Sequence, residues 1–147
     1  MSQNVNLLFL DFDGVTHPLV SPQMFLPECM DALATAIMPY ELEIVVTSTW
    51  RETYHYEKLE SLLSVLGKKL QGVTPVIDDP FLKYVRYHEV RQYLTESNQI
   101  ETPWLAIDDI PGFYPEDAPV YWSDSKTGFT VKDISKLSKF IEVATQN

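Results

Sequence analysis

Basic residues are scarce in this chain, and the first does not appear until Arg51. Eleven Lys and Arg stand against 21 Asp and Glu, a formal charge of −10. That balance argues against non-specific binding to duplex DNA or to an anionic membrane, which depends on clustered cations that neutralise phosphates. It leaves room for a site that handles a single phosphate, because a divalent ion can supply the positive charge. Cysteine is almost absent: Cys29 alone cannot form an internal disulfide. On an apolar helical face it reads as the buried thiol of a cytoplasmic protein. No apolar run approaches the length of a membrane span. The first four residues, Met1-Ser2-Gln3-Asn4, lack the basic residues of a signal or transit peptide. There is no repeat, low-complexity tract or linker. At 147 residues, 45% apolar and 12% aromatic, residues 1–147 are expected to form one domain with a sizeable core.

What is present is an alternation of short apolar runs and helical patterns. Strands are expected at Leu7–Leu10, Ile44–Val46, Leu70–Thr74, Trp104–Ile107 and Val120–Trp122. Helical spacing places Met30, Leu33, Ala34 and Ile37 on a first helix stopped by Pro39. Leu59, Leu62, Leu63 and Leu66 mark a second, closed by Gly67 as a C-cap. Tyr87, Val90 and Leu94 mark a third, and Ile134, Leu137 and Ile141 a fourth. Strands without polar alternation, separated by amphipathic helices, imply a mainly parallel sheet of about five strands covered on both faces. The C-terminal ends of parallel strands gather on one edge of the sheet. Asp11 and Asp13, Thr47 and Ser48, and Asp108 and Asp109 all follow such ends, so they are expected to converge on one crevice.

Asp11 and Asp13 close a core strand with no cation near them in sequence. A bound metal and chemistry explain them better than a turn in which Asp side chains bond the backbone ahead of Gly14. Phosphoryl transfer needs a nucleophile, a cation for the phosphoryl oxygens and a proton for the leaving oxygen. An aspartate can be the nucleophile, and Mg²⁺ takes a few oxygen ligands plus water and phosphate. The four aspartates serve these roles, Thr47 and Ser48 offer hydroxyls, and Lys83 and Arg86 offer fixed positive charge in the first turns of the third helix.

The order LLFLDFDGV, IVVTS, a basic helix start and LAIDD resembles the four-motif pattern of the haloacid dehalogenase-like (HAD) superfamily, over nearly the whole chain. DFDGVTHP, VVTSTWRE, GVTP, Arg86-x-x-Glu89-Val90 and KTGFT are similar to the capless HAD domain of bacterial RNA-repair proteins and stand-alone relatives. The resemblance implies a three-layer α/β/α Rossmann-like fold and a Mg²⁺-dependent phosphatase. Asp11 would be the nucleophile and a metal ligand. Asp13 would be the acid/base, with its backbone carbonyl on the metal. Thr47 would bind the phosphoryl group. Asp108 would ligate Mg²⁺, with Asp109 in support. Arg86 is preferred to Lys83 as the third-motif cation because it fits the RxxE pattern. Val15 stands where many HAD phosphatases have Thr.

Other residues have plainer readings. Asp108-Asp109 could cap the following segment, and Arg86 could pair with Glu89 on the helix surface. His17, in a flap before Pro18, reads as an ordinary loop histidine. Trp50 and Arg51 could line the mouth, with Trp50 either stacking a base or covering apolar surface. His55 and His88 are too scattered for zinc, and Lys132, Lys136 and Lys139 form a solvated stripe. Val15 to Ile44 has room for a flap and one helix, and Arg51 to Lys83 for one helix and a short strand. Neither holds a cap, so the site is expected to be open. The substrate would then be a phosphorylated molecule that completes the enclosure, with an RNA or DNA end among the candidates and no strong intrinsic nucleic-acid affinity. A small phosphate ester or phosphoprotein is the alternative, as is a non-catalytic phosphate-binding domain. The oligomeric state is not readable.

Overall fold

In the computed structural model, residues 5–144 are described; the segment Met1–Asn4, on which the leader reading rests, lies outside them. Five strands form one sheet: β1 (Leu7–Leu10), β2 (Glu43–Val46), β3 (Leu70–Val73), β4 (Trp104–Asp108) and β5 (Val120–Trp122). The order is β3-β2-β1-β4-β5 and every pairing is parallel. The helices are α1 (Pro27–Ile37), α2 (Tyr56–Leu63), α3 (Val85–Glu96) and α4 (Val131–Ala144).

Both faces of the sheet are covered, which is why β1 is apolar at every position. Leu8 and Leu10 point into a core with Met30, Leu33 and Ile37 of α1, Leu59 and Leu63 of α2, and Leu137 and Ile141 of α4. Leu7 and Phe9 point the other way, against Val90 and Leu94 of α3. Phe9 meets Tyr93 and Trp104 edge-on, with ring centroids 5.9 and 5.4 Å away. Burial of each such side chain contributes about 1.5–3 kcal/mol, so the strand carrying the first two aspartates is held from both sides. The result is a three-layer α/β/α arrangement without a cap among the described residues. The gap between β1 and β2 holds a flap and α1 alone; the gap between Arg51 and Lys83 holds α2 and β3.

Local signals account for most element boundaries. Pro27 occupies the first turn of α1, and the helix ends before Pro39. The second helical pattern is split: α2 stops at Leu63 and a 3₁₀ turn carries Ser64–Leu66 into Gly67, whose φ of 70° ends it. Asp133 accepts the Thr130 amide at 2.8 Å and caps α4. The start of α3 is a correction. Tyr84 sits at φ 59°, in the left-handed region, so the helix begins at Val85 and Lys83 lies outside it. No glycine or asparagine marks that break in the sequence.

Candidate active site

β1 lies between β2 and β4, and it is there that successive connections leave in opposite directions along the sheet. Ligand sites of open α/β sheets form outside the strand ends at this reversal. The Asp11 amide donates to the Ile107 carbonyl at 3.2 Å, and the Thr47 amide to the Leu10 carbonyl at 3.0 Å. The three strand ends are thus laced together at the edge, with Thr47 on one side of Asp11 and Asp108 on the other. One carboxylate oxygen each of Asp11, Asp108 and Asp109 lies within 4.8 Å of the other two. Gly14 permits this approach: it has φ 76°, and a Cβ there would stand 2.1 Å from Asp109 Oδ2.

The electrostatics of this group call for a cation. Burial pushes the Asp11 carboxyl well above its ordinary value of 3.8, the Asp108 charge pushes it further, and Arg86 only partly offsets them. Burial likewise raises Asp108 to about 7 despite hydrogen bonds from the Ile110 and Asp109 amides. Asp109 is raised for the same first reason. Asp108 splits its duties. Its Oδ1 accepts from the Asp109 and Ile110 amides at 2.7 and 3.0 Å, while its Oδ2 is buried without a partner, as is Asp109 Oδ1. The backbone-capping reading therefore explains one oxygen and leaves the other unexplained. Two orphaned carboxylate oxygens in a three-carboxylate group fit a hard divalent cation with oxygen ligands. The Asp13 side chain is not in that group.

Thr47 and Ser48 differ. The Thr47 hydroxyl is buried without a partner, whereas Ser48 Oγ accepts the Trp50 amide at 3.3 Å. Arg86 is buried and its Nε has no partner. The guanidinium lies 5.1 Å from the Phe113 ring centroid, and its charge bears on both Asp11 and Asp108. Its pairing with Glu89, 3.0 Å at NH1, is buried and not on the helix surface. Lys83 is exposed, with its ammonium 4.9 Å from the Tyr84 ring, so it does not share a helix face with Arg86.

Arg51 borders the cavity beside Arg86. Its side chain turns inward to the carbonyls of Thr47, Ser48, Thr74 and Pro75 at 2.6–3.2 Å. It also meets Glu89 at 3.0 Å. Glu89 thus sits between two arginines and also accepts the Ile77 amide, which ties the loops after β2 and β3 to α3. Trp50 packs against the core, as the apolar-cover reading expects, and its indole N–H also donates to Asp13 Oδ1 at 3.2 Å. His17 is a second correction. It is buried, and its Nε2 lies 2.9 Å from the same Asp13 oxygen. Sequence reasoning missed Phe113 and Tyr114. Tyr114 is buried with an unpartnered hydroxyl. Burial, and then the Asp108 charge, push that hydroxyl well above the ordinary phenol value. Phe113 ends a short 3₁₀ turn after β4 and Tyr114 follows it in extended backbone, positions that no sequence pattern announces.

A parallel sheet with clustered aspartates at its reversal point, an unpaired hydroxyl and a buried arginine defines a class of phosphoryl-handling hydrolases. Residues 7–134 match the family model described as the HAD domain in Swiss Army Knife RNA repair proteins. The chain belongs to that family and is a HAD-type phosphatase with hydrolytic, aspartate-based chemistry. No curated protein matches it. Among the described residues, no helix is long and apolar enough to cross a membrane.

Proposed function

We propose that this chain is a Mg²⁺-dependent phosphomonoesterase that works through a phosphoryl group carried on Asp11. The observation that carries the reading is the group of buried Asp11 and Asp108 with half-buried Asp109, with its two orphaned oxygens, beside the unpaired Arg86 Nε and Thr47 hydroxyl. Asp11, Asp108 and Asp109 would hold the ion, with the Asp13 backbone carbonyl as a further ligand. When bound, Mg²⁺ supplies positive charge to the phosphoryl oxygens.

The chain's own groups do the rest. An Asp11 oxygen attacks phosphorus as the bond to the leaving oxygen breaks, and Asp13 gives that oxygen its proton. Thr47 donates to a phosphoryl oxygen, with Ser48 holding the turn behind it. Arg86, fixed by Glu89, opposes the phosphoryl charge; Lys83 is too far out to share that role. Asp13, now a carboxylate, then takes a proton from water as the water oxygen attacks phosphorus. Phosphate leaves and Asp11 is restored.

The family's tie to RNA repair supports a phosphorylated nucleic-acid end as substrate. A specific observation favours a second reading, a small phosphate ester or phosphoprotein. The cavity of about 290 Å³ beside Arg86 is lined by Glu52, Asp78 and Asp79, acids that repel a long polyanion. The chain would work as one catalytic domain in the cytoplasm, with its single thiol buried. Hydrolysis of an aryl phosphate with and without Mg²⁺, by wild type and Asp11→Asn, tests the chemistry. Activity that needs both Mg²⁺ and Asp11 supports it, and equal turnover by both proteins rules it out. Comparison of a 3′-phosphorylated oligonucleotide, a mononucleotide and a phosphopeptide then separates the substrates.

A further inference from the structure

We propose that His17 and Trp50 are positioning residues that clamp one oxygen of Asp13 and so aim the other at the leaving group. The inference rests on the reading of Asp13 as the acid/base. A carboxyl group has two equivalent oxygens and turns easily about its bond to Cβ. Proton delivery needs one of them fixed within hydrogen-bond reach of the leaving oxygen. Burial alone does not hold Asp13, with 43% of its side chain exposed.

Two nitrogens from different segments meet on its Oδ1. His17 Nε2, from the flap, lies at 2.9 Å, and Trp50 Nε1, from the turn after β2, donates at 3.2 Å. Among the described residues no hydrogen bond reaches Oδ2. This is the arrangement of a clamp with one free end.

Each arm is itself held. The other ring nitrogen of His17 is bonded to the Pro18 carbonyl, which fixes the ring plane. Trp50 stacks on Tyr54 with centroids 5.8 Å apart, and Ser48 Oγ accepts its amide. The late KTGFT motif, which the phosphatase chemistry does not use, supports the flap from behind. The Phe129 amide donates to the Val15 carbonyl at 2.8 Å, and the Leu19 amide to the Ser125 carbonyl at 2.9 Å. Gly128 has φ 71°, and a Cβ there would lie 3.0 Å from the His17 carbonyl carbon and 3.1 Å from the Val15 oxygen. Only glycine allows the motif so close. Flap and turn thus converge on one carboxylate oxygen, and the C-terminal motif braces the flap.

The test compares leaving groups. Dinitrophenyl phosphate departs without protonation, whereas an alkyl phosphate such as glycerol phosphate needs an acid. His17→Ala and Trp50→Phe should lower kcat/KM for the alkyl ester by about 10- to 100-fold, part of the 10²–10⁴ that a general acid supplies. The same variants should change kcat/KM for the dinitrophenyl ester, which reports phosphoryl transfer to Asp11 and not the later attack of water, by less than about threefold. His17→Gln, which keeps an N–H near the Nε2 position, should recover most of the alkyl ester rate. Equal losses of kcat/KM on both esters would overturn the clamp. Asp13→Ala run alongside separates this outcome from failure of the underlying reading. If it shows the leaving-group signature and the clamp variants do not, only the clamp fails; if it shows none, the acid/base role of Asp13 fails first.

Discussion

Asp108→Asn should make the metal-free protein more stable at pH 8 while abolishing its response to Mg²⁺. The folded state raises Asp108 from 3.8 to about 7, chiefly by burial. The folded protein therefore keeps a proton that the unfolded chain has already lost. The contribution of Asp108 to stability is fully present below about pH 4, is lost as pH rises from about 4 to about 7, and stays absent above that. Asp11 is raised in the same direction and adds to the slope. At about 1.4 kcal/mol per pH unit, the Asp108 shift alone costs the metal-free protein about 4 kcal/mol at pH 8. Asparagine is neutral and nearly isosteric, and its oxygen still accepts from the Asp109 and Ile110 amides, so it escapes that cost. For a domain of this size the gain is about 10 °C in Tm. The assay is thermal unfolding of both proteins with EDTA or Mg²⁺ at pH 5 and pH 8. Wild type should be more stable at pH 5 than at pH 8 with EDTA, and Mg²⁺ should raise its Tm mainly at pH 8. The variant should have a flatter pH profile and little Mg²⁺ response. A variant less stable than wild type at pH 8 with EDTA would refute the electrostatic reasoning, and a preserved Mg²⁺ shift would refute the placement of the ion.

Gly14→Ala should cut kcat by at least about 100-fold, because its Cβ would collide with the Asp109 carboxylate. It should also lower stability by about 1–2 kcal/mol through the left-handed backbone; wild-type turnover would show that Asp109 can move without consequence. Thr47→Val replaces a buried, unpartnered hydroxyl, so denaturant unfolding should show stability unchanged or raised. Steady-state kinetics should show turnover reduced by about 10- to 100-fold. Glu89→Ala leaves Arg51 and Arg86 buried without their shared partner, and urea titration should report a loss of about 3–5 kcal/mol.

The fold was largely legible because its signals are local. Uninterrupted apolar strands, proline stops and Gly67 each act within a few residues, and parallel strands bring their C-terminal ends together wherever they lie in the chain. The boundary at Tyr84 was not legible, because its left-handed backbone carries no glycine to announce it. The gathering of Asp11, Asp108 and Asp109 followed from topology alone. The secondary contacts did not. His17 meets Asp13 through the curl of a loop, Trp50 reaches the same oxygen across 37 residues, and Arg51 binds carbonyls 23 and 24 residues away. Such contacts depend on side-chain directions that periodicity does not encode. Arg86 and Glu89 were paired correctly, but their burial comes from Arg51 and Phe113, which no spacing rule brings to them.

The most direct test of the mechanism is acid-quenched, peptide-mapped mass spectrometry of the enzyme during turnover of dinitrophenyl phosphate. The account predicts one added phosphoryl group on the peptide containing Asp11, formed only with Mg²⁺ and missing in Asp11→Asn. Steady hydrolysis with that peptide unmodified, or with the phosphoryl group on another residue, would contradict it.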